Sequence, residues 1–333
     1  MEAYTKIQEI PEIPGPILDA ASNGKLVVFI GAGVSRLLGC PSWQELAQKY
    51  LKYLYDKKNI SYAEYEYLGK LDPRKLLSIC KNFCRKKNIN EPNMEDFLKH
   101  DVKKYEKFKD LYELLYSWNV VFVTTNFDTY LDQVVNKPKP QPPIIGNELN
   151  SNDSIGSTAN TKNTDKIISD PDKILISHLY EPGMVIHLHG SLESKNKVVT
   201  ISDYLHHYKK DNIQEFLSTL FKDFTVLFIG YGLEEYEILE FLINKSDHSK
   251  HENKEKEIKH YMLYPLFSWE KNMLEFLQSY YEDLNIKLIP YEKDFNGYEI
   301  LYEIIKDWTS QIKGIAQPPR SIEIIKLIDE VVK

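Results

Sequence analysis

The cysteines for a disulfide framework, apolar runs of membrane-spanning length, the pattern of a secretory leader and a surplus of positive charge are not found in this sequence. Only 3 of its 333 residues are cysteine, Cys40, Cys80 and Cys84. That is too few for a disulfide framework or a four-thiolate zinc site. The longest apolar runs, LVVFI at 26–30 and TVLFI at 225–229, fall far short of the roughly 18 residues a membrane span needs. The N-terminus, MEAYTKIQEIPEIPGP, has neither the basic stretch nor the apolar core of a secretory leader, so the cytoplasm is the expected location. With 42 Lys and Arg against 49 Asp and Glu, the formal charge is -7, which gives no whole-protein attraction to nucleic acid. What is present, 42% hydrophobic and 27% charged residues, is the composition of ordinary folded domains.

Six short apolar runs rich in β-branched and aromatic residues, each followed by turn residues, predict buried strands over 26–30, 120–123, 184–188, 225–229, 261–266 and 286–290. Between them the spacing predicts helices over 43–55, 97–118, 128–135, 204–221, 234–243, 269–281 and 298–312. Apolar strands joined by helix-length crossovers imply an α/β fold with a doubly wound parallel sheet, Rossmann-like, binding its ligand at the carboxyl ends of the strands. Residues 59–110 are charged and helical in pattern without a strand, and are expected to form an inserted helical layer. The Pro-, Asn- and Ser-rich stretch 137–164 is expected to be a mobile excursion. On this reading one catalytic domain spans 1–316. QPPRS at 317–321 then reads as a linker into an amphipathic helix ending at 333, with room for a further domain.

Four junctions carry chemistry. The strand at 26–30 runs into Gly31-Ala32-Gly33-Val34-Ser35, a small-residue turn that offers backbone N–H groups at a helix N-terminus, where phosphate is favoured. Ser42 and Glu45, in S-x-x-E spacing, read as a capping box rather than as catalytic groups. The strand at 120–123 delivers Thr125, Asn126 and Asp128 just beyond its end, where an active site belongs. The strand at 184–188 carries His187 and ends at His189-Gly190-Ser191. Alternation points both histidines to one face, with His189 at the strand end beside a glycine that admits a ligand. Finally, 225–229 leads into Gly230-Tyr231-Gly232, and two glycine turns on one sheet suit a dinucleotide. The histidine pair has no acidic or thiol partner at metal spacing, so no metal is expected.

Taken in order, GAGVS at 31–35, GCPSW at 39–43, TTNFD at 124–128, HLHGS at 187–191 and FIGYG at 228–232 resemble the sirtuin (silent information regulator) superfamily. The resemblance implies NAD as ligand. It places the pyrophosphate at Gly31, Ala32, Gly33, Val34 and Ser35, and the nicotinamide ribose at Asn126 and Asp128 with Thr125 beside them. His189 falls in the position of the general base, next to Gly190, and Gly230, Tyr231 and Gly232 meet the adenosine half. The CxxC…CxxC zinc ribbon and the GIPDFR segment of protein-deacylating sirtuins do not occur. The sequence is instead similar to sirtuin-like effectors of bacterial antiphage defence, which hydrolyse NAD and in several cases carry an aspartate where this chain has Glu235.

These likenesses imply an NAD glycohydrolase with Asn126 and His189 as its catalytic pair and water as acceptor. Because unregulated NAD loss is toxic, homo-oligomerisation or assembly with a sensor domain or partner protein is expected to switch it on. The alternatives are an NAD or ADP-ribose sensor without turnover, and a zinc-less deacylase or ADP-ribosyltransferase. Whether Asn126 and His189 face a common cavity discriminates among them.

Overall fold

The computed structural model describes residues 7–137, 164–233, 235–249 and 258–315. The expected excursion and the terminal helix lie outside the described residues, apart from the bounding Lys137 and Thr164.

Seven strands form one parallel sheet: β1 (Leu26–Ile30), β2 (Val121–Thr124), β3 (Ile167–Ile168), β4 (Val185–His187), β5 (Thr225–Ile229), β6 (His260–Leu266) and β7 (Ile286–Glu292). Their order is β3-β4-β2-β1-β5-β6-β7, and every pairing is parallel. The chain starts in the middle at β1, passes to β2 and on to the edge strand β3, steps back to β4 between them, and then crosses to β5 on the other side of β1. That reversal creates a switch point between β1 and β5, where the crossovers leave in opposite directions and a crevice opens.

All five residues of β1 are buried, because helices cover both faces of the sheet. One core packs Val28, Ile30 and Phe122 against Leu111, Leu131, Ile304 and Trp308. The other packs Val27, Phe29 and Val123 against Ile213, Phe216, Leu217 and Leu220. Strands buried on both sides cannot alternate in polarity, which is why their sequences are continuous apolar runs.

Residues 59–110 hold the helices Tyr62–Leu68, Pro73–Lys87, Met94–Phe97 and Val102–Phe108 and no strand. Helices Trp43–Asp56 and Pro73–Lys87 pack Tyr50, Leu51, Leu76, Cys80 and Cys84 into a third core that also takes in Phe127 and Val199. This layer therefore rests directly on the residue next to Asn126. The first of these helices starts at the capping box read from the sequence, with Ser42 N donating to Glu45 Oε2 at 2.6 Å and Glu45 N to Ser42 Oγ at 3.2 Å.

Some boundaries differ from expectation. The predicted helix over 97–118 is three short ones, Met94–Phe97, Val102–Phe108 and Leu111–Tyr116, with Asp101 capping the second by accepting from Lys104 N. The predicted helix over 204–221 is two, Ile201–His207 and Asp211–Asp223. Neither β3, two residues long, nor the helix Gly15–Ser22 was anticipated. Among the described residues no helix is long and apolar enough to cross a membrane.

Candidate active site

The two glycine turns sit against each other at the switch point. Gly31 N donates to Ile229 O at 2.9 Å and Gly33 N to Gly230 O at 2.8 Å. A Cβ on Gly31 would lie 2.4 Å from Gly230 O, and one on Gly33 would lie 2.8 Å from it. The close approach of the turns thus requires glycine at both places. The sequence reading had these N–H groups free for a ligand, but two of them are spent on the facing turn. Val34, expected among the ligand contacts, has its side chain fully buried in the first core. Gly190 also differs. With φ at +82°, and a Cβ position 2.6 Å from Asn196 O, it serves a tight chain reversal.

Three cavities meet on the 32–35 turn. One of about 740 Å³ is lined by Gly33, Arg36, Gln44, Lys49, Lys104 and Tyr298 among others. A second, about 500 Å³, shares Gly33 and Tyr298 and extends over Gly230, Tyr231, Gly232 and Leu263. A third, about 40 Å³, is enclosed by Ala32, Ser35, Trp43, Thr125, Asn126 and Asp128. The first two share Gly33 and Tyr298 as a common wall, and each is of the size that takes small-molecule ligands.

Asn126 ties the small cavity together. Its Nδ2 donates to Gly31 O at 3.0 Å and to Ser35 Oγ at 2.9 Å, and its backbone N donates to Thr124 Oγ1 at 3.0 Å. Both amide hydrogens are thereby used, and the carbonyl Oδ1 is the side-chain group left for a ligand. Ser35 donates in turn to Asp128 Oδ2 at 2.6 Å, with the Tyr112 hydroxyl 2.9 Å away. Burial pushes the Asp128 carboxyl above its usual range, against the lowering effect of Ser35.

The two histidines part company. β4 ends at His187, and the chain reverses immediately afterwards, so alternation does not extend to His189. His187 Nδ1 lies 3.1 Å from Asn126 O and Nε2 lies 2.8 Å from Asp132 Oδ1. Both partners accept, an arrangement that favours a proton on each ring nitrogen. Burial alone would lower the pKa, but the bonds to Asp132 and Asn126 outweigh it and the net direction is upward. His189 instead has Nε2 at 2.8 Å from the Tyr208 hydroxyl and 3.4 Å from Glu235 Oε2. It is wholly buried, lines none of the cavities above, and its Nδ1 has no partner. Burial, then His207 and Arg74, hold it well below the ordinary histidine range, so its imidazole is neutral.

Asn126 and His189 therefore do not open onto one cavity in this structure, although their strands are neighbours, with Leu188 N donating to Thr124 O at 2.8 Å. Around His189 lies a cluster that sequence reasoning left open or missed. Tyr208 donates to Glu235 Oε2 at 3.0 Å. Arg74, from the helical layer, stands 3.8 Å from both Glu235 Oε1 and Glu237 Oε2 and 4.6 Å above the Tyr204 ring. Burial raises the Glu235 carboxyl to about 7 despite Arg74. No local pattern pairs Arg74 with residues about 160 positions away. Among the described residues no three His, Cys, Asp or Glu side chains converge as a metal-ligand set.

A model of the SIR2-like domain matches residues 120–289, from the start of β2 into β7. Over 225 residues the chain is 27% identical to Defense-associated sirtuin 2 of Bacillus subtilis, an alignment covering 67% of this chain and 19% of that protein. The aligned part is thus about a fifth of the relative's length. The parallel sheet, the paired glycine turns and the polar groups at the ends of β2 and β4 agree with that match, and the chain belongs to the SIR2-like family.

Proposed function

We propose that this chain is an NAD glycohydrolase, which breaks the bond between nicotinamide and ribose and passes the ADP-ribosyl group to water. One water is consumed, and nicotinamide, ADP-ribose and a proton are released. The observation that carries the reading is the locked amide of Asn126, whose two N–H groups face Gly31 and Ser35. Only the carbonyl oxygen remains to meet substrate. Nicotinamide leaves NAD as a neutral molecule from a cationic linkage, so its departure needs no acid. The electron-poor ribosyl centre left behind needs the negative end of a fixed dipole. Asn126 Oδ1 supplies one, and Asp128 holds it in register through Ser35. His189, neutral, takes the proton from water or from a ribose hydroxyl. The crevice sharing Gly33 and Tyr298 accommodates the rest of the dinucleotide, with the adenosine half over Gly230, Tyr231 and Gly232.

The enclosure of His189 favours a resting form, one that assembly with further copies or with a partner converts to the active form. Likeness to a defence-associated protein supports the role we assign: an effector in the cytoplasm that depletes NAD when infection triggers it, as in abortive infection. The same enclosure is the observation favouring a second reading, an NAD-binding module without turnover. To separate them, purified protein is incubated with NAD over a range of protein concentrations and the products are resolved. Equal amounts of nicotinamide and ADP-ribose, rising more steeply than protein concentration and lost in Asn126→Ala, are expected. Bound but intact NAD at every concentration would establish the sensor, and ADP-ribose attached to protein would establish a transferase.

A further inference from the structure

The neighbourhood of His189 specifies more than burial. A tyrosine hydroxyl has one proton. Tyr208 gives it to Glu235 Oε2 at 3.0 Å, so toward His189 Nε2, 2.8 Å away, it can only accept. The proton in that contact must then sit on Nε2. A neutral imidazole carries a single N–H, which leaves Nδ1 as a bare lone pair. Nδ1 is the ring atom with no partner in the structure. Reversing the chain reverses the outcome. With a proton on Glu235, the carboxyl donates to Tyr208, Tyr208 donates to Nε2, and the imidazole hydrogen moves to Nδ1.

We propose that Glu235, when ionised, is a positioning residue that acts through the Tyr208 hydroxyl to fix the His189 proton on Nε2, leaving Nδ1 as the base, with Arg74 of the helical layer favouring the ionised form. The inference rests on the reading of His189 as the base. The triad logic is general: an acidic group behind the imidazole sets its tautomer, and loss of that group leaves the geometry intact with the wrong nitrogen protonated. Here the acid acts through an intervening hydroxyl. The groups facing Glu235 are Arg74, Tyr204, Tyr208, Tyr231, Glu237 and His189, and His207 joins Arg74, Tyr204 and Tyr208 around His189. Arg74 is the sole cation in this set carrying a fixed charge. Its removal leaves Glu235 facing Glu237 without compensation.

The turn that delivers Glu235 is consistent with a built position. Leu233 sits at φ +50° while buried, a left-handed conformation that a leucine adopts only when its surroundings enforce it.

The test reads the tautomer directly. Protein labelled with ¹⁵N at its 9 histidines is examined by long-range ¹⁵N–¹H correlation, with His189 assigned by comparison with His189→Asn. At pH 8 the wild type is expected to show a protonated Nε2 and a bare Nδ1. Glu235→Gln is expected to shift that pattern toward Nδ1–H, and Tyr208→Phe to uncouple it from Glu235. In turnover, Glu235→Gln should lower kcat by roughly 10²-fold or more with KM for NAD changed less than about threefold. Arg74→Gln should move the acid limb of the pH profile to higher pH. A wild-type ring with Nδ1–H at pH 8, or one unchanged in Glu235→Gln, overturns the proposal whether or not the protein turns over. Correct tautomers without nicotinamide release would sink the hydrolase reading alone.

Discussion

At the scale of single residues, two histidines two positions apart do different work, and the end of β4 decides which does what. His187 is buried between Asp132 and the Asn126 carbonyl, two acceptors that favour its protonated form. His187→Ala removes one partner of a buried pair and leaves the Asp132 carboxylate uncompensated, a change that costs about 3–5 kcal/mol in typical cases. Denaturant unfolding is expected to show that loss. His189→Ala, checked on folded protein, should instead lower NAD cleavage roughly 10²–10⁴-fold while NAD still raises the melting temperature. Wild-type turnover in His189→Ala would move the base elsewhere. Glu235 gives a second residue-scale outcome. Its folded-state pKa, raised from 4.5 to about 7, means the folded state holds the proton more tightly than the unfolded state does. Stability therefore falls as pH rises between those values. Glu235→Gln has no such titration, so the variant should gain on the wild type by up to about 3 kcal/mol from pH 4.5 to 7. A difference in stability that stays flat across this range would refute the assignment. Asn126, Asp128 and His189 were legible because they follow apolar strands, and His187 because it interrupts one. Their partners Tyr112, Asp132 and Tyr208 were not, because a hydrogen bond across a fold leaves no spacing in the sequence.

Among the elements, those with strong local signals were read correctly and those without were not. β1 and β5 match their predicted bounds residue for residue, since an apolar run closed by a glycine turn fixes both ends. The capping box at Ser42 and Glu45 fixed the start of the helix Trp43–Asp56 in the same way. Ser42→Ala should cost about 1 kcal/mol. This helix carries the third core beneath Phe127, so the loss is expected in thermal unfolding, with little change in NAD turnover on folded protein. A fall in turnover comparable to that of Asn126→Ala would give Ser42 a role at the cavity it also lines. Helical periodicity over 97–118 and 204–221 was real, but it ran through breaks set by Asp101 and by the turn at 208–210. Helices whose apolar faces point to the same core keep one period across a bend, and the bend itself is not encoded in it.

For the molecule as a whole, the sheet order gathers the chemistry on one edge. The β1 and β5 turns belong to crossovers that leave in opposite directions, and hydrogen bonds from Gly31 and Gly33 join them. Among the described residues no three His, Cys, Asp or Glu side chains converge as metal ligands. Turnover is expected to survive excess EDTA, and stoichiometric zinc by elemental analysis would count against the proposed chemistry. A ligand lying along the crevice touches both halves of the sheet and binds only the folded state. At a concentration 100 times its Kd, NAD should stabilise by about 2.7 kcal/mol. With an unfolding entropy of about 2.1 cal/mol/K per residue, this corresponds to a rise in melting temperature of roughly 4 °C for a chain this long. On the proposed placement ADP-ribose spans the same turns, so it should give a comparable rise at the same multiple of its own Kd. Nicotinamide alone, placed by the same proposal only beside Asn126, should need a far higher concentration. Calorimetric unfolding with each compound provides the measurement. If nicotinamide alone reproduced the shift at equal concentration, the dinucleotide would not be lying across the switch point, and the assignment of the adenosine half to Gly230, Tyr231 and Gly232 would fail with it.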